Sequence, residues 1–286
     1  MAGRWQLGGR DLGAVVAALL LPPVEDLVAL EGGGATGVAD ALRALGRRLE
    51  ALGVDVVLAL DGRWRSAEAF PVDPSPRHVV EAPGANPPSP SRSVWPGDEE
   101  LGSYMIAAGL IEGIRVRSET RAVDAPLAVA LHRLVPDAGA RLVPMGVALR
   151  SPEECRRWGE QIAREVDAGD RTAALVVVGA LASGPSGSAS DGAARDDGSP
   201  IGRIVELLTR GEGERLLRQG DASGVGLAPG ALETLAVALG VVGPGARFTP
   251  VPVVAPDDAS PVLVWTRGAT RAGSDDLSNV LHRHNR

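Results

Sequence analysis

Asp55 to Leu60 reads DVVLAL, one acid followed by five apolar residues. So short a continuous apolar run suits a strand buried on both faces of a sheet. Just before it, Val38, Leu42, Leu45, Leu49 and Leu52 recur at helical spacing with charges between them, which predicts an amphipathic helix over 35–52. Earlier still, Val15 to Leu21 reads VVAALLL, a second buried strand. Strand, helix and strand at this spacing form a βαβ unit, and that unit implies a parallel sheet.

The alternation continues along the chain. Gly97, Asp98 and Glu99 open a helix through Ala108, 114–116 is a strand, 127–134 a helix and 140–147 a strand. Ser151 and Glu154 have the spacing of a capping box, in which each side chain satisfies a free amide of the first turn, so a helix runs from there to about Val166. Thr172 to Val178 (TAALVVV) is another buried strand. Helices are expected over 201–210, 213–219 and 229–239, and strands over 248–254 and 261–265.

Two stretches break the pattern. Phe70 to Pro96 is rich in Pro and Ser without periodicity, and Ser183 to Pro200 is mostly Gly, Ser, Ala and Asp. Both are expected to be flexible loops, the second because it has no apolar anchor to offset its ordering entropy. Arg267 to Arg286 reads as a disordered tail. The expectation is one α/β domain over residues 1–266, in three layers, with a mostly parallel central sheet and helices on both faces. Ligands in such sheets bind at the carboxyl ends of strands, so the loops after Leu21, Leu60, Val116 and Val178 are the places for a site.

Composition excludes several functions. All 29 basic residues other than histidine are arginine, which removes a lysine Schiff base and a P-loop lysine. The net charge of −7 and the lack of a basic stripe argue against nucleic acid. A single cysteine, Cys155, excludes an internal disulfide and a cysteine metal cluster. The apolar run before Pro22 and Pro23 is too short to span a membrane and lacks the features of a signal peptide, so a cytoplasmic protein without membrane association is expected.

The loops at the strand ends carry a resemblance. Asp55 to Trp64 reads DVVLALDGRW. It resembles the D-x-x-V-V-x-S-P-H-W run of class III extradiol ring-cleavage dioxygenases of the protocatechuate dioxygenase catalytic-subunit type. Asp55 and Trp64 match, and Arg63 stands at a metal-binding histidine. Leu20 to Pro23 (LLPP) is similar to the family's P-H-P-P, with Leu21 at the other metal histidine. Asp124 to Leu131 (DAPLAVAL) is similar to D-H-G-x-x-V-P-L, with Ala125 at the histidine. Val178 to Ser183 (VGALAS) is similar to the strand ending S-G-D-L-S-H, with Ser183 at the acid/base histidine. Glu233, in GALETLAVALG, is similar in setting to the family's carboxylate ligand.

The resemblance implies the fold of these dioxygenases without their chemistry. Their Fe(II) needs two histidines and a carboxylate on one face. Leucine offers no donor, and arginine stays protonated and repels a cation. No metal is therefore expected. Fe(II) remains the alternative, held by relocated ligands drawn from His78, Asp61 and Glu233. His78 otherwise reads as an exposed loop residue, His132 as a surface or capping residue, and Glu233 as an exposed glutamate favoured by the helix dipole. Asp61 and Arg63 are expected to form an ion pair across the old metal position, or Arg63 a fork for a small acid.

Three functions follow. The chain is a non-catalytic relative, forming a homodimer or a hetero-oligomer with a catalytic paralogue and able to bind a small acidic or aromatic ligand. Alternatively it is an active ring-cleaving oxidoreductase of aromatic diols with relocated ligands. Or it carries a different activity on the same scaffold, using Arg63.

Overall fold

The computed structural model describes residues 6–7, 10–11, 13–21, 36–82, 91–135, 139–182, 200–218, 227–251 and 262–268. The chain opens with a small antiparallel ribbon, β1 (Gln6–Leu7) and β2 (Arg10–Asp11), followed by β3 (Ala14–Leu21). Helix α1 (Thr36–Ala51) leads to β4 (Val56–Ser66) and the short β5 (Phe70–Val72). A hairpin of β6 (Arg77–Ala82) and β7 (Ser91–Pro96) precedes α2 (Glu99–Ile111) and β8 (Val116–Ser118). Then come α3 (Ala125–Leu134), β9 (Arg141–Ala148), α4 (Pro152–Ala168) and β10 (Thr172–Val178). Helices α5 (Pro200–Arg210), α6 (Glu214–Leu217) and α7 (Ala231–Val242) and strands β11 (Thr249–Val251) and β12 (Val262–Thr266) complete it.

Eight strands form one sheet in the order β11-β12-β3-β10-β4-β9-β5-β8. The central strands β3, β10, β4 and β9 are mutually parallel, while β12 and β11 add antiparallel strands at one edge. Both faces are covered, which is why β3 and β10 are apolar without alternation. Leu42, Leu45 and Leu49 of α1, Leu127 and Leu131 of α3, and Val80 and Trp95 of the hairpin pack on one face. Met105 of α2, Trp158 and Ile162 of α4, and Leu232 and Leu235 of α7 pack on the other. Each fully buried leucine here contributes roughly 2 kcal/mol by leaving water.

The capping box of α4 is present. Ser151 Oγ accepts from the Glu154 N–H at 3.2 Å, and the Glu154 carboxylate accepts from the Ser151 N–H at 3.4 Å. Cys155, Trp158, Ile162 and Val166 then line one buried face of α4. Helix α7 is apolar all round because it is covered by the sheet on one side and α4 on the other.

The expected loop over 70–96 is a correction. It contains β5, β6 and β7. Pro71 fits in β5 because that strand meets β9 at one residue pair only, Val72 with Met145, so a missing N–H costs little there. In the hairpin His78 stands opposite Trp95 and both point inward. Two of the inward positions are thus filled by residue types that a search for aliphatic alternation passes over. The second expected loop lies outside the described residues over 183–199, and the expected tail does so over 269–286. Arg267, placed in the tail on sequence, instead pairs with Asp167 through two contacts of 3.0 and 3.1 Å.

Candidate functional site

The register of the parallel strands sets Leu21, Val178, Asp61 and Gly146 in one row across the carboxyl edge of the sheet. Leu21 and Asp61, far apart in sequence, are thereby brought onto the same line, with Val178 between them. Leu21 is wholly buried in the core beneath α1 and α3, so it packs rather than lines an opening. Asp61 is 4% exposed.

Asp61 and Arg63 do interact, but not as the expected side-chain ion pair. Asp61 Oδ1 accepts the backbone N–H of Arg63 at 2.8 Å. The ladder with β9 slips between Asp61 and Arg65, an irregularity that turns the Arg63 side chain out to solvent. Among the described residues its guanidinium has no ion-pair partner.

The charge near Asp61 comes instead from residues distant in sequence. Asp61, Trp64, Arg121, Asp124 and Met145 surround a small cavity of about 10 Å³, room for one water molecule. Arg121 pairs with Asp124 at 2.6 Å and lies over the Trp64 ring, 5.7 Å from its centre. The indole N–H of Trp64 donates to Glu119 at 3.0 Å. Burial pushes the Asp61 carboxyl above its ordinary value, and nearby Asp124 adds to this. The Arg63 N–H and the charges of Arg121 and Arg63 oppose it. Among the described residues the result is a buried carboxylate near an arginine, with a cavity beside it that holds about one water.

Behind this cluster sits a second buried pair. His78 Nδ1 lies 3.4 Å from Asp73 Oδ2, both side chains 1% exposed. This corrects the reading of His78 as a solvent-exposed loop residue. Apart from this long contact with Asp73, neither ring nitrogen of His78 has a hydrogen-bond partner among the described residues. Asp73 also accepts the backbone N–H groups of Ser75 at 3.0 Å and Arg121 at 3.1 Å. Burial alone would raise Asp73, but His78, Ser75 and the Arg121 N–H outweigh it and hold the carboxyl down at about 2. Asp73 thus fixes the backbone from which Arg121 reaches Asp124 and Trp64.

Glu233 does not join Asp61. It is carried by α7, on the opposite face of the sheet from α3. Its Oε2 is buried without a hydrogen-bond partner among the described residues, which corrects its reading as an exposed helix glutamate. Its neighbour is Cys155, whose thiol is pushed up to about 12 by burial and by the Glu233 charge. The next residue, Thr234, closes the gap above β4: a Cβ on Gly62 would come 2.6 Å from Thr234 Oγ1. Ala125 begins α3 next to Asp124. Ser183, like Pro22 and Pro23, lies outside the described residues. His132 is half-buried in the last turn of α3, 3.3 Å from Ser93 Oγ, and burial lowers its pKa.

These residues do not fit Fe(II). The row offers one carboxylate and a leucine, and the next side chain along β4 is an exposed arginine. Among the described residues no group of three or more His, Cys, Asp and Glu could hold a metal ion, so His78, Asp61 and Glu233 do not form one. Sequence reading found Asp61 but passed over Arg121, Glu119 and Asp73, which have no motif. An acid such as Asp73 beside a histidine five residues on is the one local signal that could have drawn attention.

No family model matches the chain, and no curated protein matches it. Among solved structures it is similar to the crystal structure of uncharacterized protein JW3007 from Escherichia coli K12. The TM-score is 0.62 at 14% identity, over 87% of this chain and 99% of that one. At that identity the likeness is one of fold: α/β, with a large, mostly parallel mixed sheet. Among the described residues no helix is long and apolar enough to cross a membrane.

Proposed function

We propose that this chain is a class III extradiol dioxygenase-like protein without the ring-cleavage centre, acting as a non-catalytic subunit or pseudoenzyme in the cytoplasm. The observation that carries this reading is the row at the carboxyl edge. Of the residues that the resemblance sets at the family's two metal histidines, Leu21 lies in the row with Asp61, beyond Val178, and is buried in the core, while Arg63 is two residues past Asp61 and exposed to solvent. The supporting sequence is the ordered set of partial motifs from Leu20 to Glu233. A homodimer, or a hetero-oligomer with a histidine-complete paralogue, goes with this reading. The test is metal analysis of protein purified anaerobically and then loaded with Fe(II), with oxygen uptake measured on catechols. No bound iron and no uptake are expected. Stoichiometric iron with catechol-dependent uptake overturns the proposal and favours an active oxidoreductase with relocated ligands.

One observation favours an added role in binding a small acid at this edge. Arg63 is exposed and, among the described residues, its guanidinium has no ion-pair partner, so it is available to a carboxylate. Thermal-shift measurements with small aliphatic and aromatic acids check this. A shift present in the wild type and absent from Arg63→Ala is expected, and no shift in either sinks it.

A further inference from the structure

Strand β8 ends the sheet, and among the described residues nothing pairs with its outer side. Toward β5 the ladder is formed. The Phe70 N–H donates to the Arg115 carbonyl at 2.8 Å, and the Glu119 N–H donates to the Val72 carbonyl at 2.9 Å. Residues 115, 117 and 119 thus turn their backbone groups inward. Val116 and Ser118, which alternate with them, turn theirs outward, where a further strand could take them.

Short length and charge commonly blunt such an edge. Here the charge does not repel a copy of the same strand. Arg117 and Glu119 flank Ser118 and pair with one another. In an antiparallel pairing centred on Ser118, Arg117 of each copy lies opposite Glu119 of the other. Both cross-strand contacts then join opposite charges. A two-fold axis through Ser118 supplies both from one self-complementary surface.

The other face of the edge agrees with this. Val116 packs beneath Gly109 of α2, so Arg117 and Glu119 stand on the face away from that helix. Gly102 lies against Pro74 and Gly109 against Trp158, which fixes the inward side of α2. Tyr104, Ala107 and Ile111 recur at helical spacing on the opposite side. All three are exposed, Ile111 by 84%. Single exposed apolar residues are ordinary, but a stripe of them beside an unpaired strand marks a contact surface. Pairing β8 with a second copy brings the two α2 stripes toward each other across the axis.

We propose that the protein forms a two-fold homodimer by antiparallel pairing of β8 with β8 of a second copy, with Tyr104, Ala107 and Ile111 of the two α2 helices packed beside the join. This names the contact for the homodimer of the reading above. It rests on the sheet edge alone, so the metal test and this one can fail separately.

Sedimentation of the full chain from low to high micromolar concentration should show a dimer. Ile111→Glu and Arg117→Glu should each weaken it by at least about tenfold, because each change enters the contact twice. Both side chains are exposed, so both variants should keep the wild-type circular dichroism spectrum. Ser118→Cys, treated with a copper–phenanthroline oxidant, should give a covalent dimer, since the Cα atoms of such a pair stand about 5.5 Å apart. Cys155 is buried and does not compete. A folded Arg117→Glu chain mixed with a folded Glu119→Arg chain should dimerise where neither does alone, because only the mixture sets opposite charges across both contacts. A monomer at every concentration overturns the proposal, and means that another part of the chain or a different protein covers the stripe. A dimer indifferent to Ile111→Glu or to Arg117→Glu, a Ser118→Cys chain that does not cross-link, or a mixture of folded variants that stays monomeric also overturns it.

Discussion

Gly159 on α4 and Gly240 on α7 stand backbone to backbone: a Cβ built on either would come 2.9 Å from the Cα of the other. The carbonyl oxygens of Val237 and Arg156 are closer still, at 2.0 and 2.1 Å from those positions. The two helices therefore meet without side chains between them. Gly159→Ala should cost about 3 kcal/mol, since backbone cannot move aside as a flexible side chain can. Gly139, which has nothing within 4 Å of its Cβ position, is the control, and Gly139→Ala should leave stability nearly unchanged. Urea unfolding of both variants checks the contrast. Equal midpoints would mean that α4 and α7 are not so close.

Asp73 should make stability depend on acid. Its carboxyl is held at about 2 against an ordinary 3.8, so the folded state favours the charged form. That contribution is fully present above the ordinary value and is lost as pH falls through the folded one. Asp73→Asn should thus cost ~2 kcal/mol at neutral pH, with the gap to wild type closing between about pH 4 and about pH 2. Chemical denaturation across that range is the measurement, and a gap that does not change with pH contradicts the assignment.

Asp61 should behave in the opposite sense. Burial raises its carboxyl, so the charged form is disfavoured in the folded state. The penalty is fully present above the raised folded value and vanishes below the ordinary one. Asp61→Asn keeps an oxygen for the Arg63 N–H and removes the charge. It should raise the thermal midpoint at neutral pH, with the advantage fading in acid. A lower midpoint at neutral pH would show that attraction to Arg121 outweighs burial.

Cys155 should be chemically silent while the protein is folded. Its thiol is buried and pushed up to about 12. The thiolate is the reacting species. Thiol titration with a chromogenic disulfide at mild alkaline pH should find no reactive group in the native protein and one after denaturation. Rapid native labelling contradicts this burial.

Much of the fold was legible in single segments. The runs at β3 and β10 are apolar because helices cover both faces, and that composition shows in sequence. The α4 start was legible because Ser151 and Glu154 carry a local mechanism. The hairpin was not, because its inward positions hold His78 and Trp95 and it is framed by prolines. The site was half legible. Asp61 lies within β4 but level with the last residues of β3 and β10, where the fold class directs attention. Its partners Arg121 and Asp124 reach it only through the tertiary fold, and the side chain of Arg63 is turned away by an irregularity in β4 that two-residue periodicity does not foresee. Glu233 was drawn into the site by its helix, yet the sheet stands between it and Asp61.

The position of Leu21 has a consequence for anyone wishing to place a polar side chain at the end of β3 by design. Swapping in imidazole there would set a polar ring among aliphatic neighbours, in a wholly buried place. A histidine at Leu21 would therefore cost stability by itself, whereas one at the exposed Arg63 would not. A polar group at this end of β3 would first need space hollowed out under α1 and α3, so it could not be introduced one residue at a time.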